Sequence, residues 1–207
     1  MLWACILLPQ LALDGVLRRR PPSEEPLVLV SGPAQQRVVH AANRSARAAG
    51  LYRGQRLAAA QAMLHCFAML EYDAGDEQYW HRLLAAWAYR YSAEVGLFAH
   101  AVVLEVSRSL GLFGPWPTFE SRLRDDLAAL GFRHRIALAP TPQAAYVLAG
   151  VEDGIAVMAP STLRGALSPI SVMHARLPGG VADALSSMGI RTLGQLLSMP
   201  RAGLQRR

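Results

Sequence analysis

The apolar positions change their spacing several times along the chain, and each change marks an element. Residues 2–8 form a continuous apolar run that stops at Pro9, the pattern of a buried strand. Residues 11–20 follow as a short helical stretch that ends at Pro21-Pro22. Residues 26–30 and 37–42 are two further strands, joined through Ser31-Gly32-Pro33, a turn composition. Helices are expected over residues 43–49 and 57–69, with Gly50 stopping the first and Gly54 opening the next segment. Residues 76–92 place Trp80, Leu83, Leu84, Trp87 and Tyr91 at helical spacing on one face. That aromatic stripe reads as core rather than as a base-stacking surface. Residues 97–106 read as one strand, with Val102, Val103 and Val106 β-branched. A helix over 119–130 closes at Gly131, and a strand (135–138), a helix (142–148) and a strand (155–158) follow. Strands alternate with helices, so the class is α/β or α+β.

The tail changes character. From Leu177 the pattern is a helix, a glycine stop at Gly189, and a second helix with Thr192 as its N-cap. This shape suits a helix-hairpin-helix, which holds DNA through backbone N–H groups. A glycine-rich hairpin lets the main chain approach a phosphate, and a helix start adds partial positive charge. Gly179, Gly180, Val181, Ala182, Arg191 and Thr192 are the candidate DNA-contacting positions. The plainer reading is an ordinary helical hairpin. A further helix begins after Pro200 and is unfinished at Arg207, so the chain reads as a truncated one.

Composition modifies this picture only a little. The chain has 207 residues, enough for one sizeable core or two small ones. Its net charge of +6 favours an anionic partner. All 21 basic residues are Arg, however, which a codon bias toward Arg explains equally well. Cys5 and Cys66 stand apart, which argues against a disulfide framework or a Cys-x-x-Cys metal site. His65 beside Cys66 reads as helix packing rather than ligation. No window reaches the roughly 20 apolar residues of a membrane span, and no basic segment precedes the apolar N-terminus. The expectation is a soluble cytoplasmic protein without a membrane partner.

With the hairpin in place, the rest of the chain resembles Y-family translesion DNA polymerases of the UmuC type, nearest to the ImuB-like branch. The most specific match is Val38-Val39-His40-Ala41-Ala42-Asn43-Arg44-Ser45-Ala46-Arg47-Ala48-Ala49-Gly50-Leu51. The family reads Val-Val-x-Ala-x-Tyr-Glu-Ala-Arg-x-x-Gly-Val there. The nucleotide-contacting Tyr position is Arg44, and the Arg position is kept as Arg47. The family's opening Asp-Met-Asp-Ala-Phe-Phe-Ala-x-Val-Glu is matched by the stretch from Cys5 to Asp14, so the first-strand ligand position falls at Cys5 or Ile6. The family's Ser-Ile-Asp-Glu-Ala-Tyr-Leu-Asp-Val becomes the stretch from Phe98 to Val106, with the two catalytic carboxylates at His100 and Ala101. Leu104-Glu105-Val106 anchors that register. In the stretch Ala139 to Leu148 the family's two lysines fall at Pro142 and Tyr146.

The resemblance implies an α+β polymerase fold. Its parts are a mixed-sheet palm (residues 1–30 and 76–168), a small helical fingers subdomain (31–75) and the beginning of a helix-hairpin-helix thumb (169–207). Nucleotidyl transfer needs paired divalent ions, and Mg²⁺ takes oxygen ligands, mostly carboxylates. None of the three ligand positions supplies one. Asp73, Asp76 and Glu77 read instead as helix N-terminal charges, and Asp125 and Asp126 as a solvated face. No catalytic residue, metal site or cofactor is therefore expected, with Arg44, Arg47 and Tyr146 as remnants of a nucleotide site. The leading expectation is a non-catalytic lesion-bypass factor in damage-induced mutagenesis. The alternatives are an active error-prone translesion polymerase using Mg²⁺ through other ligands, and an interaction module that does not touch DNA. Partners implied by the resemblance are damaged primer–template DNA, the sliding clamp, a RecA-like companion protein and an error-prone C-family polymerase. Gln10-Leu11-Ala12-Leu13 looks a little like a clamp-binding peptide, but its place after the first strand favours packing.

Overall fold

The computed structural model of the chain describes residues 1–199. In chain order it contains β1 (Trp3–Leu7), α1 (Leu11–Leu17), β2 (Leu27–Ser31), β3 (Val38–Ala42), α2 (Arg44–Ala48), α3 (Leu57–Met63), β4 (Ala68–Glu71), α4 (Ala74–Ala88), β5 (Val95–Phe98), β6 (Ala101–Glu105), α5 (Ser109–Phe113), α6 (Trp116–Ala129), β7 (Arg135–Ala139), α7 (Pro142–Val151), α8 (Pro160–Leu167), α9 (Val181–Ser187) and α10 (Leu193–Leu197). Short 3-10 turns lie at Ala34–Gln36 and Val172–His174. The chain divides into two compact units: Met1–Leu8 with Ala85–Arg124 and His134–Arg207, and Pro9–Leu84 with Asp125–Arg133. The mixture of sheets and helices is the expected α+β class.

The first unit is built on a four-stranded sheet of order β5-β6-β1-β7. β1 is antiparallel to both neighbours, with Cys5 opposite Val103 on one side and Ala137 on the other. Both of its faces are covered: Ala4, Cys5, Ile6, Leu7 and Leu8 are all buried. A strand paired on both edges and covered on both faces must be apolar throughout. That is why residues 2–8 show no alternation. α7 lays Ala144, Ala145 and Leu148 against Cys5, Leu7, Ala101 and Val103. The tail is fastened to the same core by Leu193 and Leu196. Backbone bonds Val172 N–H to Arg191 (3.0 Å) and Leu193 N–H to Ile170 (2.8 Å) hold its two segments together.

The second unit has a three-stranded sheet of order β3-β2-β4, with β2 antiparallel to β3 and parallel to β4. α2 ends as the sequence indicates. Gly50 has φ 89°, and the N–H groups of Gly50 and Leu51 close onto the carbonyls of Arg47 and Ala46. This is a Schellman cap, and the chain repeats it at Gly131 after α6 and at Gly189 after α9. Thr192 caps α10 with a full capping box, its hydroxyl accepting from Gln195 while Gln195 returns to its backbone.

Several expectations need correction. The helix expected over 57–69 stops at Met63, and its last residues open β4, which pairs with β2. His65 and Cys66 are exposed after that helix end, so they do not pack. The strand expected over 97–106 is a hairpin, β5 and β6, turning at Ala99-His100. His100 makes the turn at φ 53°, a conformation unusual for a residue with a Cβ. Residues 155–158 form a single bridge from Ala156 to Leu138, not a strand. α5 and α8 are additions that the periodicity missed. The helix expected after Pro200 lies outside the described residues. The aromatic stripe is core, as expected: Trp80, Leu84 and Tyr91 are buried. Leu11, Ala12 and Leu13 are buried as well, so the clamp-like tetrapeptide is packing.

Gly15, inside α1, has the indole of Trp80 where a Cβ would stand. The same indole packs on Phe132 (5.6 Å) and carries Arg18 at 5.4 Å over its ring. Gly15→Ala is therefore expected to destabilise the chain by about 1–3 kcal/mol through overpacking. A shift of the urea midpoint with unchanged slope checks it.

Candidate functional site

The positions read from the sequence as former metal ligands, Cys5 or Ile6, His100 and Ala101, all lie in the first unit, but the strand register sets Leu7, not Cys5, opposite Ala101. Leu7 stands opposite Ala101 in the β1–β6 register, and the Leu8 N–H donates to the carbonyl of His100 (2.8 Å). The hairpin turn thus lies against the end of β1. Cys5 sits two residues back on the same face as Leu7. Burial pushes its thiol up to about 12, against the opposing charge of Arg176, so it is neutral at pH 7. Ala101 has no donor, and His100 is an exposed imidazole on a left-handed turn. Neutral sulfur and imidazole do not make a cage for a hard divalent ion that wants several oxygens. Among the described residues no group of three His, Cys, Asp or Glu stands close enough to hold any metal. The residues present do not fit a polymerase ion pair.

Tyr146 comes from α7 and closes over this place. Its hydroxyl donates to the carbonyl of Ala99 (2.8 Å) and accepts from Arg176 Nη1 (2.9 Å). Its ring meets Phe98 edge-on at 5.1 Å. The guanidinium of Arg176 lies over the same ring, 4.2 Å from its centre. Arg176 reaches there from a left-handed backbone at φ 52°, and a Cβ on Gly150 would stand 3.0 Å from its Nε. A tethered organic cation therefore stands beside Tyr146 and within electrostatic reach of Cys5. Sequence reasoning missed Arg176. Nothing in its neighbourhood, Ala175-Arg176-Leu177, signals a long-range contact.

Arg44 and Arg47 belong to the second unit. Both are exposed on α2, whose N-cap Asn43 accepts from Ala46 N–H (2.8 Å) and donates to Glu25 (2.8 Å). Arg44 lines a cavity of about 500 Å³ with Asn43, Ser23, Glu24 and Arg133; Arg47 is not part of its wall. Below it lies a feature the sequence pattern passed over. Asp14, in α1, is 3% exposed. Its Oδ2 accepts from the backbone N–H of Arg133 (2.9 Å), and the guanidinium of Arg133 reaches Gln10 (2.8 Å). A lone carboxylate between Leu13 and Gly15 in an apolar helix was the available signal.

In the tail, Gly179 and Gly180 are exposed and nothing lies within 4 Å of where a Cβ would be. Gly180 is left-handed (φ 78°) and starts α9, with Val181 41% exposed at its first position and Ala182 half-buried. Arg191 is exposed in the opposite loop, and the Thr192 hydroxyl is committed to its cap. The acidic positions weighed as substitutes have other duties: Asp73 caps the start of α4 through Gly75 N–H (2.7 Å), Asp76 pairs with Arg19, and Glu77 accepts from Tyr72 (2.5 Å).

Burial raises Asp14 from 3.8 to about 6, with the Arg133 N–H and the charges of Arg133 and Arg47 pulling the other way. The folded chain holds this proton to higher pH than the unfolded chain. Proton binding therefore favours folding, and stability falls as pH rises from about 4 to about 6. The loss is at most about 3 kcal/mol. Asp14→Asn is expected to flatten that segment of the stability profile, read by urea denaturation at fixed pH steps.

Comparison with known proteins follows this geometry. The model of the impB/mucB/samB family matches residues 14–150. Protein ImuB of Caulobacter vibrioides, in strains NA1000 / CB15N and ATCC 19089 / CIP 103742 / CB 15, is 28% identical over 159 residues. That match spans 76% of this chain and 35% of ImuB, so the chain corresponds to about a third of the relative's length. Among solved structures, DinB from Sulfolobus solfataricus superposes with a TM-score of 0.73 at 17% identity, covering 100% of this chain and 62% of DinB. A Y-family DNA polymerase chimera of Dbh and Dpo4 superposes with a TM-score of 0.77 at 16% identity, covering 100% of this chain and 63% of the chimera. These likenesses give the fold; with the family match over the larger part of the sequence, the chain belongs to the impB/mucB/samB family.

Proposed function

We propose that this chain is a non-catalytic, Y-family polymerase-like factor that holds damaged primer–template DNA and acts in translesion synthesis and damage-induced mutagenesis. One observation carries the reading. The end of β1 and the Ala99-His100 turn come together, but the side chains there are Leu7, an alanine and an exposed imidazole, with the neutral buried thiol of Cys5 two residues back and Tyr146 tied to the turn. A two-ion mechanism needs oxygen ligands there.

What favours DNA as the ligand is the tail. The Gly179-Gly180 turn offers its main chain without side-chain hindrance, and Arg191 is exposed in the loop between α9 and α10. Backbone contact to phosphate is sequence-independent, as a lesion-tolerant binder requires. The exposed Arg44 and Arg47 supply further cationic positions, and Tyr146 remains as a closed remnant of a nucleotide site. The likeness to Protein ImuB favours the same setting. The partners that go with it are the sliding clamp, a RecA-like companion and an error-prone C-family polymerase, in the cytoplasm. In the described residues no helix is long and apolar enough to cross a membrane.

Primer extension with Mg²⁺ or Mn²⁺ tests the catalytic half. No template-dependent incorporation is expected; incorporation that a His100→Ala/Arg44→Ala variant abolishes would overturn the reading. Binding to a primer–template should weaken steeply with salt, and Arg191→Ala should lower the slope of log K against log salt by about 0.9, the loss of one phosphate contact. Salt-independent or undetectable binding at low ionic strength would sink the DNA half.

A further inference from the structure

A cleft of about 700 Å³ in the second unit has no role in the reading above. Gln35, Gln36 and Arg37 line one side; Arg56 and Gln61 line the other. The two sides are locked together by the backbone. Val38 bridges to Arg56, and Leu57 N–H donates to the carbonyl of Arg37 (2.9 Å). Gly32 (φ 97°) turns the chain into the 3-10 segment, and a Cβ there would stand 3.1 Å from the carbonyl oxygen of Gln36. The frame is held by main-chain bonds, and its lining carries two arginines, Arg37 and Arg56.

The wall contains no acidic and no aromatic side chain. Arg37 directs one nitrogen, Nη2, to Glu71, while its Nε is buried and makes no hydrogen bond among the described residues. That Nε is closed to solvent, so a ligand in the cleft would meet the other, exposed part of this side chain. The Glu71 pair already shows that this guanidinium takes a carboxylate. The three glutamine amides each offer donors and an acceptor, which suits the N–H and C=O groups of an extended backbone. A single strand of nucleic acid would usually find aromatic rings for its bases, and none is here.

We propose that this cleft binds an acidic peptide segment of a partner protein. One of its carboxylates would lie between Arg37 and Arg56, and its main chain would be held by Gln35, Gln36 and Gln61. Arginine suits this because its planar fork matches a carboxylate. The proposal is independent of DNA binding by the tail.

The test uses the 207-residue chain and a fluorescein-labelled probe, Gly-Glu-Ala-Asp-Ala-Glu, followed by anisotropy. Saturable binding is expected, at least fivefold weaker in Arg56→Glu and in Gln61→Ala. Both residues are exposed, so both variants should fold like the parent, which circular dichroism checks. Side-chain amide signals of Gln35, Gln36 and Gln61 should move on peptide addition in an NMR titration. No binding up to millimolar probe, or binding that Arg56→Glu leaves unchanged, overturns the proposal. So does displacement of the probe by single-stranded dT12 with the same dependence on Arg56, which would make the cleft a nucleic-acid site. A chain that binds peptide here but no primer–template would keep this site and remove the DNA reading instead.

Discussion

The first unit depends on β1 being buried on every side. Hydrogen-bonded neighbours flank it on both edges, and residues from Ala4 to Leu8 keep at most 5% of their surface. A charged group on this strand would be taken out of water, which is tolerable only with a counter-ion at hand. In a two-ion polymerase the metals are that counter-ion. Here the strand carries Cys5, Ile6 and Leu7, and the surroundings agree with it. Ala101 and Val103 face it across the ladder, and α7 covers it with alanines. The strand has become ordinary core, closely packed by small residues.

Arg176 completes that consistency. Its guanidinium is held by the Tyr146 ring and hydroxyl, over a glycine that makes room for it. It is a cation fixed by the protein beside Tyr146 and within electrostatic reach of Cys5. Tyr146 in turn spends its hydroxyl on the Ala99 carbonyl, tying α7 to the hairpin turn. A lysine at this position would have to reach outward to be useful; the tyrosine is drawn inward by its ring. The local contacts thus make this face one of packing.

Much of this was legible in the sequence, and for definite reasons. The unbroken apolar run of β1 betrayed its double burial. Gly50, Gly131 and Gly189 betrayed the helix ends, because a left-handed cap admits little else. The pairing of β1 with the strand ending in Leu104-Glu105 suits two apolar runs, although the register sets Cys5 opposite Val103 and Leu7 opposite Ala101. What escaped were features made by distant pairing. β4 is a strand only because β2 pairs with it; by propensity its leading alanine and methionine continue a helix. The β5–β6 turn is made by His100 in a conformation that usually calls for glycine or asparagine, so no turn residue announced it. Arg176 and the Asp14–Arg133 pair join residues far apart in the chain, and no local pattern encodes such contacts.

The arginines of the chain differ in a way that composition could not show. Every basic residue of this chain is Arg, so counting charges cannot separate a binding surface from a codon preference. Partner accounting does better. Arg19 is matched by Asp76, Arg124 by Glu120 and Asp153, and Arg133 sits over the buried Asp14. These are structural charges. Arg37 is matched at one nitrogen and left short at another, in a cleft whose polar lining is three amides and a second arginine. A guanidinium satisfied by its own chain stabilises the fold. One left with a buried, unanswered N–H costs the fold something. The pairing of each arginine, rather than the excess of Arg, is therefore what separates a charge spent on the fold from one still available at the surface.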